Sequence, residues 1–298
     1  MWITIAVLGY AALAVVSILD KFILAERPVS PRVFVFYSSI FALPILALIP
    51  FGVIWPKTGL DAGLAMISGL AFSFALWSMY LALKEGEVSH IGPFIGAVTP
   101  LVILALSPLF LPEILTGRQF WAMGLLIVGT LLISVEKSDR HNGLHIGFVW
   151  AFLAAALFAV SHLAAKYLYD AYGFYSGFVW TRGAIGLFGL LMLFLPSLRR
   201  DLLAAPLAEK KSRGLLLVSA DKILGVVGVV LVQYAIALGS VAIVNALAGA
   251  QYALLVILVA LFTRFAPKIF REVYTRDEII MESAAVLIIT AGLFLLIL

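Results

Sequence analysis

The chain is a succession of apolar runs, each about 20 residues long, and a run of that length matches the hydrocarbon thickness of a bilayer. The runs lie near 2–24, 33–55, 61–83, 88–112, 117–135, 144–168, 175–196, 214–238, 241–263 and 279–298. They do not alternate between apolar and polar residues, which favours helices over the strands of a barrel, and lipid admits only those two spanning forms. The breaks are short: Glu26-Arg27-Pro28, Pro56-Lys57, residues 84–87, 116–118 and 136–142 leave no space for a soluble domain. With 64% of residues hydrophobic and 12% charged, against roughly 25% charged in soluble domains, a water-soluble fold is excluded. The expectation is an all-α integral membrane protein of about ten transmembrane helices. Residues 1–24 begin apolar without the basic region of a secretory signal and are read as the first span.

The chain has no cysteine, which removes disulfides, thiolate nucleophiles and thiolate metal sites. The net charge of +4 and pI near 9.3 come from basic residues gathered in the breaks. Such a pattern is a topology signal and does not point to nucleic acid.

The two halves resemble each other. VVSILDKFIL at 15–24 pairs with VSHLAAKYLY at 160–169, aligning Lys21 with Lys166, and residues 117–133 pair with 276–297, aligning Gly129 with Gly292. Five spans per half force opposite orientations, so the expected architecture is two five-helix inverted repeats, 1–138 and 143–298. Inverted halves are a transporter architecture, because each can take the other's role and open a central site to either side in turn.

The odd-numbered connections carry Lys21, Arg27, Arg32, Lys84, Lys137, Arg140, Arg199, Arg200, Lys210, Lys211, Arg213, Arg264, Lys268, Arg271 and Arg276. The opposite side has Lys57, Arg118, Lys166 and Arg182. The positive-inside rule then places the odd connections in the cytoplasm and both termini outside.

The stretch from Ala82 to Ile133 resembles the EamA repeat of the drug/metabolite transporter superfamily through Pro100, Glu113, Gln119, Ala122 and Gly129. The second half resembles it more loosely, with Arg182 where the repeat often has an arginine and Gly292 retained. Arg276 falls on the acidic position of the second repeat, the connection at 264–278 is longer than its counterpart, and Tyr37 and Ser38 stand where an arginine is usual. The resemblance implies a transporter with a central cavity lined by spans 1, 3, 4, 6, 8 and 9. It also implies cytoplasmic termini, opposite to the charge count.

Charge inside a span needs a reason, since it is costly there. Asp221-Lys222 lies well inside the eighth span, either as a cavity-lining pair or as an ion pair between helices, with Lys222 otherwise reaching back to the basic loop. Gln233 shares the Lys222 face, three turns on. Ser73, Trp77 and Tyr80 share a face of the third span, either toward a substrate or as an aromatic packing seam. His162, with Lys166 on the same face of the sixth span, is titratable near neutral pH; Ser17, Asp20 and Lys21 match it in the first span. Asn245 and Gln251 face protein, as ligand contacts or helix-to-helix hydrogen bonds. Arg182 either pairs with Asp221 or Asp170 or attracts an anion. Glu113 is read as a helix-start residue.

The expected substrate contacts are therefore Lys222, Gln233, Trp77, Tyr80, Ser73, Asn245 and Gln251, with Asp221, His162 and Arg182 as coupling or ion-pair residues. The function expected is secondary transport of a small polar metabolite by alternating access, with proton coupling through Asp221 or His162. Amino acids, other carboxylate- or phosphate-bearing metabolites and drug-like solutes fit, and Lys222 and Arg182 favour the anionic ones. The rivals are an intramembrane enzyme on a lipid-linked substrate and a channel. His90, His141, His145 and His162 form no metal-ligand spacing and no phosphate-binding loop motif occurs, so no metal, cofactor or enzyme activity is expected. A monomer in a prokaryotic inner membrane, with the lipid bilayer and a small solute as its partners, completes the reading.

Overall fold

In a computed structural model the chain is described over residues 1–24, 31–85, 88–111, 114–135, 137–138, 141–142, 146–204, 212–265 and 276–298, with backbone alone at 20–24, 31, 88–89, 110, 137–138, 141–142, 203–204, 212–220, 222, 264–265 and 276–278. The fold is helical: α1 (Trp2–Leu24), α2 (Pro31–Ile40), α3 (Gly59–Glu85), α4 (Val88–Phe110), α5 (Gly117–Ile133), α6 (Ile146–Met192), α7 (Pro196–Ala204), α8 (Ser212–Leu238), α9 (Val241–Ala246), α10 (Ala248–Phe265) and α11 (Arg276–Ile297). A two-residue antiparallel ladder, Lys137–Ser138 with His141–Asn142, sits in the connection between α5 and α6. Among the described residues, 7 helices are long and apolar enough to cross a membrane, and two shorter apolar helices accompany them, Gly117–Ile133 and Ile223–Leu238.

Two stretches depart from the sequence expectation. The run at 33–55 is not one α-helix: α2 ends at Ile40 and a 3-10 helix continues over Leu43–Phe51. Pro44 and Pro50 lack the N–H an α-helix would use and crowd the preceding turn, so the tighter coil takes over. The connection after the seventh run also holds α7, whose polar, charged sequence suits a short helix outside the apolar spans.

The 47 residues of α6 would extend about 70 Å as one straight helix, more than twice the hydrocarbon thickness. The helix breaks at Gly173, φ 75° and ψ 160°, a conformation open essentially to glycine alone. The chain reverses there, so that Gly177 packs against Leu168 and Tyr169. Both arms lie on α3. The first arm runs antiparallel to α3, with Tyr172 near Asp61 and Ser161 near Ser68; the second runs parallel, with Ala184 near Gly69 and Phe188 near Phe74.

The main packing partners cross between the halves: α3 with α6, α1 with α8, α5 with α11 and α4 with α6. The α5–α11 contact is reciprocal. A Cβ at Gly129 would lie 2.6 Å from Ile289 and 3.0 Å from the Ala285 carbonyl, while one at Gly292 would lie 3.0 Å from the Ala122 carbonyl and 3.1 Å from Leu126. The sequence offset that aligns Gly129 with Gly292 also aligns Ala122 with Ala285 and Leu126 with Ile289, so each helix presents the same patch to the other, as across a two-fold axis.

Polar bonds fix the two ends of the bundle. The segment before α3 is stitched to the α6 turn: the Lys57 N–H donates to the Tyr172 hydroxyl at 2.8 Å, the Ile54 N–H to Ser176 Oγ at 3.0 Å, and Trp180 Nε1–H to the Ile54 carbonyl at 2.8 Å. Asp61 accepts from the Tyr172 hydroxyl at 2.6 Å and from Thr58, which caps α3. At the other end of α2, Arg32 meets Asp201 of α7 at 3.7 Å. The core between α1, α4, α5, α6, α8, α9, α10 and α11 is one continuous apolar cluster.

Candidate functional site

A cavity of about 210 Å³ lies among α1, α3, α4, α6, α8, α9 and α10. Those are the elements expected from spans 1, 3, 4, 6, 8 and 9, since the ninth run divides into α9 and α10. Tyr10 and Leu13 of α1 and Phe72 and Met79 of α3 give apolar and aromatic walls. Gly92 and Gly96 of α4 let the Tyr252 ring of α10 lie on the backbone, where a Cβ at Gly96 would come within 2.5 Å of the ring. Phe158 and His162 come from the first arm of α6, Gln233 from α8, Asn245 from α9 and Gln251 from α10. Among the described residues lining the cavity, none is Asp, Glu, Lys or Arg.

The polar groups on this wall are oriented by bonds behind it. Asn245 Nδ2 donates to the Val241 carbonyl at 2.8 Å, which turns Oδ1 toward His162 Nδ1 at 2.9 Å. An amide oxygen only accepts, so Nδ1 carries the proton and Nε2 is the ring's exchangeable position. Phe158 stacks on the imidazole, with centroids 6.2 Å apart. The Tyr169 hydroxyl donates to Gln233 Oε1 at 2.8 Å, leaving the Gln233 NH2 as a donor. Gln251 Nε2 reaches Ser17 Oγ at 3.4 Å, and Ser17 in turn donates to the Leu13 carbonyl, which leaves Gln251 Oε1 as an acceptor. The wall thus offers a few directed polar groups in an apolar, aromatic box, the usual chemistry of a small-molecule site.

Three expected contacts, Gln233, Asn245 and Gln251, meet here with His162, an expected coupling residue. Ser73, Trp77 and Tyr80 do not line the cavity. The Ser73 hydroxyl donates to the Gly69 carbonyl of its own helix at 2.9 Å. Trp77 and Tyr80 pack into a second cluster with α2 and the second arm of α6, Tyr80 against Phe34 at 4.3 Å. The cavity face of α3 carries Phe72 and Met79 instead, each one residue earlier and so about 100° around the helix. Tyr10, Phe158 and Tyr252 were not expected; a lone aromatic in an apolar run gives no signal of which way it faces. Asp221 is buried in α8 and is not on the cavity wall. The side chains of Lys222, Asp20 and Lys21, and the whole of Glu113, lie outside the described residues.

Arg182 departs from the ion-pair expectation. Asp170 is held by Lys166 at 2.9 Å, and Lys166 also donates to the Ala237 carbonyl at 3.0 Å. The Arg182 guanidinium instead lies 4.7 Å from the Phe72 ring centre and 5.4 Å from that of Phe178. An arginine at the centre of a span costs about 2.5–3.5 kcal/mol on insertion scales, and each ring face offsets about 2 kcal/mol or more where water is excluded.

Residues 1–135 match the model of a family described as the EamA-like transporter family. A segment of 73 residues is 35% identical to "Uncharacterized protein MJ1333.1" of Methanocaldococcus jannaschii, covering 24% of this chain and 53% of that protein. The chain thus spans about half the length of the curated relative it matches. A solved structure named "Crystal structure of protein" superposes with a TM-score of 0.65 over 99% of this chain and 94% of that one, at 17% identity, a likeness of fold.

Proposed function

Because residues 1–135 belong to the EamA-like transporter family of the drug/metabolite transporter superfamily, whose members are transporters rather than enzymes, we propose that the whole chain is a secondary transporter. It carries a small polar metabolite across a membrane by alternating access. The observation that carries this reading is the cavity lined jointly by helices of both halves, with oriented polar groups and no charged side chain among the described residues of its wall.

Ten crossings as two inverted repeats fit the fold. The 7 long apolar helices and the two shorter ones reach ten when the two arms of α6 each cross. The segment before α3 and the α6 turn, joined by hydrogen bonds, then fall on one face, and α2 and α7, joined by Arg32 and Asp201, meet at the other. The reciprocal α5–α11 contact is the local form of the two-fold axis such repeats require. The basic connections place the odd-numbered loops in the cytoplasm and the termini outside, in a prokaryotic inner membrane. A monomer suffices, since one chain encloses the cavity.

A proton gradient is an energy source the site can use. His162 is the one cavity-lining residue type, among the described residues, that ordinarily changes charge between pH 5 and 8. The volume favours metabolites over drug-like solutes, being below the roughly 300 Å³ of the smallest drug-sized sites.

Counterflow is the test. Proteoliposomes preloaded with an unlabelled amino or organic acid and diluted into its labelled form accumulate label transiently if the protein is a carrier. Downhill flux without accumulation makes it a channel, and chemical change of the solute makes it an enzyme.

A further inference from the structure

Arg182 is buried in the second arm of α6, 8% exposed, and its Nε has no hydrogen-bond partner among the described residues. Asp170, an acid on the same helix, is occupied by Lys166. The guanidinium lies over the faces of Phe72 and Phe178, which attract its charge but offer its N–H groups no lone-pair acceptor. Phe72 both lies under the Arg182 guanidinium and forms part of the cavity wall. Tyr169, whose hydroxyl donates to Gln233 of that wall, also accepts from the same guanidinium. One aromatic ring and one hydrogen-bonded pair therefore separate from the cavity a cation that has no acidic partner among the described residues.

We propose that Arg182 recognises a carboxylate on the transported solute, and that the solute is a small monocarboxylate with an apolar or aromatic body. This rests on the transporter reading and adds the substrate class to it. When the Phe72 ring turns aside, the guanidinium fork meets a carboxylate with two parallel hydrogen bonds, its preferred geometry, and the free NH2 of Gln233 supplies a further donor. The body of the solute rests on Tyr10, Phe158 and Tyr252. A monoanion balances one arginine. A phosphate dianion would leave excess negative charge in a wall that offers no second cation among its described residues. An organic cation would meet Arg182 with like charge.

The test is ligand-induced thermal stabilisation of the purified full chain, which reads binding without translocation. The probes are benzoate, phenylacetate, 3-phenylpropanoate and hexanoate, each beside its own amide and the corresponding amine. At least one carboxylate should raise the melting temperature while its amide and amine do not, and Arg182→Gln should abolish that rise. Arg182→Lys, which keeps the charge but loses the fork, should weaken carboxylate binding by about tenfold or more, and it serves if Arg182→Gln does not fold. The proposal is overturned if no carboxylate stabilises the protein, if amides or amines do so as well or better, or if Arg182→Lys binds carboxylates like wild type. Carboxylate binding without counterflow refutes the transporter reading and leaves this one standing; counterflow of cations alone does the reverse.

Discussion

Replacing Gly129 by alanine tests the packing between α5 and α11 most directly. The new Cβ would lie 2.6 Å from Ile289 Cγ1, 3.0 Å from the Ala285 carbonyl and 3.2 Å from the Ile289 nitrogen, whereas carbon atoms rest at about 3.5–4.0 Å. Ile289 can rotate, but the backbone cannot, so the helices must part by several tenths of an ångström or more. Overpacking of that kind costs about 1–3 kcal/mol, a fall of about 2–10 °C in apparent melting temperature for a chain of this size. Gly292→Ala meets nothing closer than 3.0 Å and should fall less. Gly124→Ala, on the same helix with nothing within 4 Å, should melt at or above wild type, since alanine is the better helix former. In the double variant Gly129→Ala/Ile289→Ala the closest clash is gone, so its loss should be smaller than the sum of the two single losses. Differential scanning fluorimetry in detergent reads all of these. Wild-type melting of Gly129→Ala, or a larger loss for Gly124→Ala, would refute the close crossing.

Other outcomes follow from single features. Gly173→Ala places a side chain in a glycine-only conformation and should cost about 1–3 kcal/mol, read by the same melting assay. Asn245→Ala leaves the buried His162 Nδ1–H without its acceptor, and should destabilise by about 1–3 kcal/mol and alter the pH dependence of counterflow. Ser73→Ala and Tyr80→Phe, away from the cavity, should retain counterflow, while Gln233→Ala should lower it; equal rates in all three variants would sink the placement of the site. A reporter enzyme active only outside the cytoplasm should be active when fused after Leu298, and a silent fusion would reverse the proposed orientation.

Much of the fold was legible because lipid imposes a length: the limits of α1, α3, α4, α5 and α8 lie within a few residues of the apolar runs. Less legible was which way each helix faces. In water an apolar stripe marks the inside, but in a bilayer both faces of α3 are apolar and the stripe vanishes. Polar and aromatic residues are then the only clue, and they misled at Ser73, which satisfies its hydroxyl within its own helix and needs no cavity. Gln233 and Asn245 lie on the cavity wall, where a side-chain amide, with more donors and acceptors than its own helix can satisfy, finds partners on other helices. The contact of His162 with Asn245, 83 residues away, and the rings over Arg182 belong to the tertiary fold and leave no mark in local sequence.

The cross-half packing described above has a consequence for synthesis. When the ribosome has finished α3, the surface meant for α6 has only lipid or the insertion machinery beside it; the Ser68 hydroxyl, which donates to the Ser161 carbonyl in the finished fold, has no such acceptor yet. α1 waits longer for α8, and α5 waits for α11, the last of the described helices. The first half is therefore a layer of unmatched surfaces while it emerges. Residues 1–135 expressed alone should be lost to degradation and rescued by co-expression of the remainder, because α1, α3 and α5 find their main packing partners in the later helices.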